Sequence, residues 1–269
     1  MPSGRFFERS RAQMNEYRGR VSAGFDYVLV LEWLRTDDKP TGTDLHAFLP
    51  SIGVASELRI CQSWEDVGRA LSDAAATVDT KGVPAVHLET HGSNPWDSNP
   101  EDIALGPRRD SGWNEFGPLL APLNVRAGFR LLFVSAACWG SGIMAAINGG
   151  EHPAPFCCAV GFRTKVDEMA VRDSMRELYR SLKRGATVND SVDSAQRELV
   201  AGQKLQLEIA VEIAVKILRV TYYKPEALRR TTVGPLRRRR RARRVWETWF
   251  PIYLRDLDPA YRFEIAIPE

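Results

Sequence analysis

VPAVHLETHG at residues 83–92 and GFRLLFVSAACWGSG at residues 128–142 are the stretches on which the fold turns. Each is a nearly continuous apolar run ended by glycine, the pattern of a parallel strand covered on both faces rather than of a half-exposed strand with strict alternation. Working outward, Phe25 to Leu34 (FDYVLVLEWL) reads as a further strand, Thr43 to Leu49 as a short helix stopped by Pro50, and Ala55 to Gln62 as a weaker strand. Ser63 stands as an N-cap before a helix whose Trp64, Val67, Leu71 and Ala75 recur at helical spacing. Trp113 to Leu123 reads as a short helix despite Pro118 and Pro122, Ser141 to Ile147 as another, and Phe156 to Phe162 as a strand. Helices over Val171 to Lys183 and Val188 to Val200 follow. Strand and helix alternate, which predicts an α/β fold: a doubly wound, mainly parallel sheet with helices on both faces.

Beyond Val200 the segment KLQLEIAVEIAVKILRV alternates like a strand, but Lys204, Glu208, Glu212 and Lys216 recur every four residues, which favours a helix. Three regions are expected: an N-terminal arm at 1–23, the α/β body at 24–201, and a C-terminal appendage at 202–269. The chain has 269 residues and a net charge of +3, unevenly spread. Residues 224–244, which include Arg237 to Arg241, Arg243 and Arg244, carry +9 and leave −6 on the remaining 248. The basic segment is first a solvated charge run. Binding of nucleic acid through Arg237 to Arg244 and recognition by another protease are the lesser readings. The start of the chain has no apolar signal-like run, and no 18-residue uncharged apolar run appears, so no membrane span is expected. Four scattered cysteines fit neither a disulfide scaffold nor a zinc ribbon, which points to a reducing, cytoplasmic setting.

Chemistry concentrates where the two deciding strands end. One terminates at His91-Gly92 and the other at Cys138, and the carboxyl ends of parallel strands are where such sheets bind ligands. Cys138 suits a nucleophile: the attacking species is the thiolate, which a following helix N-terminus and a nearby imidazole both favour. His91 suits the base that takes the thiol proton and the acid that returns it to a leaving amine. The amides of Gly92 and Cys138 could form an oxyanion hole, worth about 3 to 4 kcal/mol per donor. His87, Glu89 and His91 share a strand face but do not make an HExxH helix pattern, and no metal is assigned to them. Ser135 and Ser141 lack the GxSxG setting of a serine nucleophile. Cys61, Cys157 and Cys158 lie within strands and read as buried small hydrophobes.

At VHLETHG (86–92) and LLFVSAACWGSG (131–142) the sequence resembles the caspase-like cysteine peptidases, and within them the bacterial CHAT type. His91 lies 47 residues before Cys138, and FCCAVGF (156–162) and the paired helices at 171–199 extend the likeness over roughly 24–201. The resemblance implies a caspase-like sheet, a His91–Cys138 dyad, and endopeptidase chemistry on a protein substrate through a thioacyl intermediate, without a cofactor. It also implies an effector role in bacterial antiviral defence or programmed death, with an activating protein partner. Ser135, Ala136 and Arg163 are the expected substrate contacts, with the segments 93–110 and 163–169 as pocket walls. Metacaspases carry Asp two residues before the Cys, where this chain has Ala136, which points to an apolar or small P1 residue. The contrasting reading is a silent caspase-like scaffold that binds a partner or nucleic acid through its basic tail.

Overall fold

The computed structural model describes residues 24–92, 104–105, 111–143, 146 and 154–209. Among these, eight strands form: β1 (Tyr27–Trp33), β2 (Ser56–Ile60), β3 (Pro84–Thr90), β4 (Ala104–Leu105), β5 (Ser111–Gly112), β6 (Leu132–Ala136), β7 (Cys158–Phe162) and β8 (Leu205–Ile209). Five helices accompany them: α1 (Thr41–Phe48), α2 (Trp64–Lys81), α3 (Phe116–Arg126), α4 (Glu168–Lys183) and α5 (Val188–Gln196). Six strands make one sheet in the order β2-β1-β3-β6-β7-β8, parallel throughout except for the antiparallel β7–β8 pair. The fold is the expected α/β sheet, and the strand order reverses between β1 and β3, which makes the carboxyl end of that gap the switch point. All described residues belong to one compact unit, 21–210. No described helix is long and apolar enough to cross a membrane.

Every residue of β1, β3, β6 and β7 is buried, which explains the unbroken apolar runs that mark these strands in the sequence. One face carries an aromatic layer in which Trp33 packs on Trp64, Trp64 on Phe116, and Phe116 on both Trp113 and Phe133. These rings join β1 and β6 to α2 and α3. The opposite face meets α4, where Tyr179 lies against His87 of β3. Ser63 caps α2 by accepting from the Asp66 N–H, and Asp167 and Thr187 cap α4 and α5 in the same way. Each such cap contributes about 1 kcal/mol. Pro122 stands inside α3, where it removes a backbone hydrogen bond; burial of Phe116, Leu120 and Leu123 holds the helix regardless.

Three local expectations change. Pro50 does not end the chain's helical path, because it sits in the first turn of a 3-10 segment, Leu49–Ile52, where its missing N–H costs nothing. The helix expected from Ser141 starts as a 3-10 turn at Gly140–Ile143, and Ala146 beyond it is helical. The helical reading after Val200 is wrong for 205–209, which is strand β8. Pairing with β7 satisfies its backbone and buries Leu205 and Leu207 on one side, and this tertiary gain outweighs the four-residue charge repeat. The remainder of that segment, the arm at 1–23, all of the wall at 93–110 except 104–105, and the Arg237 to Arg244 run lie outside the described residues.

Asn124 is fully buried and ties α3 to both neighbours: its Nδ2 donates to the Ala154 carbonyl at 2.8 Å and its Oδ1 accepts from the Leu131 N–H at 3.1 Å. Asn124→Ala strands both backbone groups in the core and is expected to lower stability by about 2 to 4 kcal/mol. Urea unfolding of the full chain measures this, and a loss below about 0.5 kcal/mol would mean the two groups find other partners.

Candidate active site at the strand ends

The pairing of β3 with β6 sets Glu89 opposite Ala136 and Val86 opposite Phe133, a constant offset of 47 residues. His91 and Cys138 are separated by the same 47 positions, two residues beyond the last pair, so the spacing seen in the sequence is the register of the sheet. Because side chains alternate with period two, both positions share the parity of Glu89 and Ala136, on the face toward α4. His91 and Cys138 line one cavity of about 480 Å³. Its other walls are Leu34, Asp38, Lys39 and Thr41 after β1, Glu89 and Thr90 of β3, Ala136 of β6, and Lys165 to Met169 with Val171 beyond β7.

Gly92 is required where it is. A Cβ there would collide with the Cys138 carbonyl oxygen, so the backbone after β3 runs directly against the backbone after β6. Past Cys138 the chain turns sharply: Trp139 adopts φ 58, in the left-handed region that a bulky side chain rarely enters. The turn is held by Trp139 N–H donating to the Thr164 carbonyl and Gly140 N–H donating to the Ala137 carbonyl. Such strain persists only where the surroundings over-determine it. The Cys138 sulfur accepts from the Val166 N–H at 3.5 Å and its thiol reaches the Val166 carbonyl at 3.6 Å, which seats it against the segment leading into α4.

His91 is half exposed and its Nε2 lies 2.6 Å from Asp38 Oδ2. A carboxylate only accepts, so Nε2 carries the proton and the lone pair is on Nδ1. The same Asp38 oxygen accepts from the Arg35 N–H at 2.7 Å, which fixes the carboxylate in the turn after β1. Burial pushes the Asp38 carboxyl up, but the hydrogen bonds from His91 and Arg35 and their charges outweigh it and hold the group below its ordinary value.

A second, buried group of polar residues underlies the cavity. Tyr179 Oη lies 3.1 Å from His87 Nδ1, His87 Nε2 lies 2.9 Å from Glu89 Oε1, and Thr41 Oγ1 donates to Glu89 Oε2 at 2.9 Å. Burial, with the Glu89 charge, raises the Tyr179 phenol well above its ordinary value, so it keeps its proton beside His87. His87 and Glu89 are therefore committed to each other, and His91 to Asp38, rather than converging on a common point.

Of the residues singled out from the sequence, His91, Cys138 and Ala136 line the cavity, and Gly92 abuts Cys138. Ser135 does not reach it: its side chain is fully buried, and a Cβ on Gly140 would sit 2.7 Å from its Oγ. Arg163 is exposed at the end of β7, its N–H donating to the Lys204 carbonyl, and is not among the cavity walls. Asp38 and the floor residue Glu89 were not picked out for these roles. Asp38 stands beside Asp37 in a polar turn, and the one available signal was its place just after a strand flanking the switch point. Compared with known proteins, the chain matches no family model and no curated protein sequence.

Two measurements check this geometry. In NMR titration, Asp38 is expected to have its midpoint below the ordinary value of about 3.9, and His91→Ala to move it upward. Because the folded value is the lower one, the stability contributed by the pair is complete at neutral pH and is lost as pH falls through that value. An unmoved midpoint in His91→Ala would rule out the contact. Separately, Gly92→Val is expected to force the two strand ends apart and change the alkylation rate of Cys138 at least tenfold in protein that remains folded by circular dichroism; an unaltered rate would show that the close approach does not position the thiol.

Proposed function

We propose that the protein is a cysteine endopeptidase of caspase-like type, with Cys138 as nucleophile and His91 as general base and acid. The observation that carries the reading is the meeting of a thiol and an imidazole at one cavity, on the carboxyl ends of adjacent parallel strands. Asp38 is the positioning residue: by taking the Nε2 proton of His91 in a hydrogen bond, it leaves Nδ1 to receive the thiol proton. The thiolate then attacks the scissile carbonyl carbon, and the carbonyl π electrons move onto oxygen, where the amides of Gly92 and Cys138 donate to it. Collapse of this intermediate breaks the C–N bond as His91 protonates the departing amine, leaving a thioacyl enzyme. Water, deprotonated by His91, releases the acid and restores the thiol.

The reading draws support from the likeness of 86–92 and 131–142 to the caspase-like peptidases and from the strained turn after Cys138, since strain of this kind gathers at functional sites. A protein substrate, an activating partner and a role in bacterial defence or programmed death come with the same reading. The His91–Cys138 pair makes no use of a cofactor.

In assays of the full chain on a peptide library, Cys138→Ala and His91→Ala are expected to abolish cleavage while both variants stay folded. Asp38→Asn is expected to lower kcat about 10- to 100-fold with a smaller change in KM and a shifted acid limb of the pH profile, the effect of losing the oriented tautomer rather than a substrate contact. Cleavage that survives Cys138→Ala would overturn the assignment. A wild-type chain that no thiol-directed peptidyl probe can label would be a binding scaffold instead.

A further inference from the structure

The helix that follows the Asp38 turn does not cap itself. Pro40 stands at the N-cap of α1 and offers no side chain to the amides of the first turn, whereas Ser63, Asp167 and Thr187 cap α2, α4 and α5 from their own N-cap positions. The acceptor comes from the sheet instead. Glu32 of β1, 6% exposed, takes the Thr43 N–H on Oε2 at 2.7 Å and the Thr43 hydroxyl on Oε1 at 3.1 Å. Its register partner on β3, Glu89, takes the Thr41 hydroxyl at 2.9 Å. Gly42, between the two threonines, is buried against both acids: a Cβ there would stand 3.0 Å from Glu32 Oε2 and 3.1 Å from Glu89 Cγ. The start of α1 is thus pressed close onto the sheet by hydrogen bonds to buried carboxylates, which are stronger than those between neutral groups.

Residues 34–40 lie between β1 and α1, and this turn carries Asp38. One end is fixed by β1. Within the turn, the Asp38 N–H donates to the Arg35 carbonyl and the Arg35 N–H returns to Asp38 Oδ2, so the carboxylate moves with the turn. At the far end the Lys39 side chain makes an exposed ion pair with Glu168, a contact that fixes little, while the Lys39 carbonyl accepts from the Thr41 N–H. The firm hold at that end is the grip of the two buried acids on Thr41 and Thr43. Resting on the peptidase reading above, we propose that Glu32 is a positioning residue for catalysis: by anchoring Thr43 it sets where the turn 34–40 ends, and so where Asp38 meets His91 Nε2. Glu89 adds a second hold through Thr41. Glu32 is not among the cavity walls and acts only through the turn. A displacement of about 1 Å would take the 2.6 Å contact between Asp38 and His91 out of hydrogen-bonding range and release the tautomer that leaves Nδ1 open to the thiol proton.

The test uses the full chain carrying Glu32→Gln or Thr43→Val. The first keeps the shape of the side chain but turns one acceptor into a donor that faces a Thr43 donor; the second removes the hydroxyl alone and decides the matter should Glu32→Gln not fold. By NMR, Glu32→Gln is expected to raise the Asp38 midpoint, as His91→Ala does, and to move the His91 ring nitrogens from the Nε2-protonated pattern toward a mixture of tautomers. Thr43→Val is expected to shift both in the same direction by less. In peptide cleavage, Glu32→Gln is expected to lower kcat about tenfold with KM changed less than about twofold, and to slow Asp38→Asn no further, because both substitutions act through one contact. A merely structural loss would slow the double variant again. A folded variant whose Asp38 midpoint and His91 tautomer are those of the wild type, or a double variant slower than Asp38→Asn alone, overturns the proposal and leaves the peptidase reading standing. A wild-type chain that cleaves no peptide overturns the peptidase reading, while the two NMR readouts still decide whether Glu32 holds Asp38 on His91.

Discussion

The register of β3 against β6 is the constraint on which the rest of the molecule depends. Parallel pairing at an offset of 47 brings the ends of two strands together, and a slip of one residue would turn His91 and Cys138 to opposite faces of the sheet. The register is held by burial on both sides. The aromatic layer of Trp33, Trp64, Phe116 and Phe133 fills one face, and Tyr179 with His87 locks the other. At the end of the pair, Gly92 lets the two backbones touch and so converts sheet geometry into site geometry.

Charge is distributed around that constraint with a clear division of labour. Glu32 satisfies the start of α1, Asp38 orients His91 from the turn after β1, and Glu89 lines the cavity while bonded to Thr41 and His87. The three carboxylates lie at or just beyond the carboxyl ends of the two strands that flank the switch point, where backbone direction changes and side chains from distant parts of the chain converge. The segment after β7 closes the arrangement: Val166 holds the Cys138 sulfur, Thr164 holds the Trp139 turn and accepts strand β8 through the Lys204 N–H. Cys138 is thereby linked by a short run of hydrogen bonds to the last described strand.

The parts of this protein that its sequence determined by itself are those governed by local pattern. Continuous apolar runs announced β1, β3, β6 and β7, helical periodicity and a serine cap announced α2, and glycine after each deciding strand marked His91 and Cys138 as strand-end residues. Tertiary structure alone decided the fate of 205–209, where a ladder with β7 prevailed over a helical charge repeat, and of the turn after Cys138, which opens as a 3-10 segment. It also decided which acids matter. Asp38 and Glu89 lie 53 and 2 residues from His91 and no spacing rule distinguishes them from Asp37. Their roles come from desolvation and distance, which depend on every neighbour packed around them and are written in no single stretch of the chain.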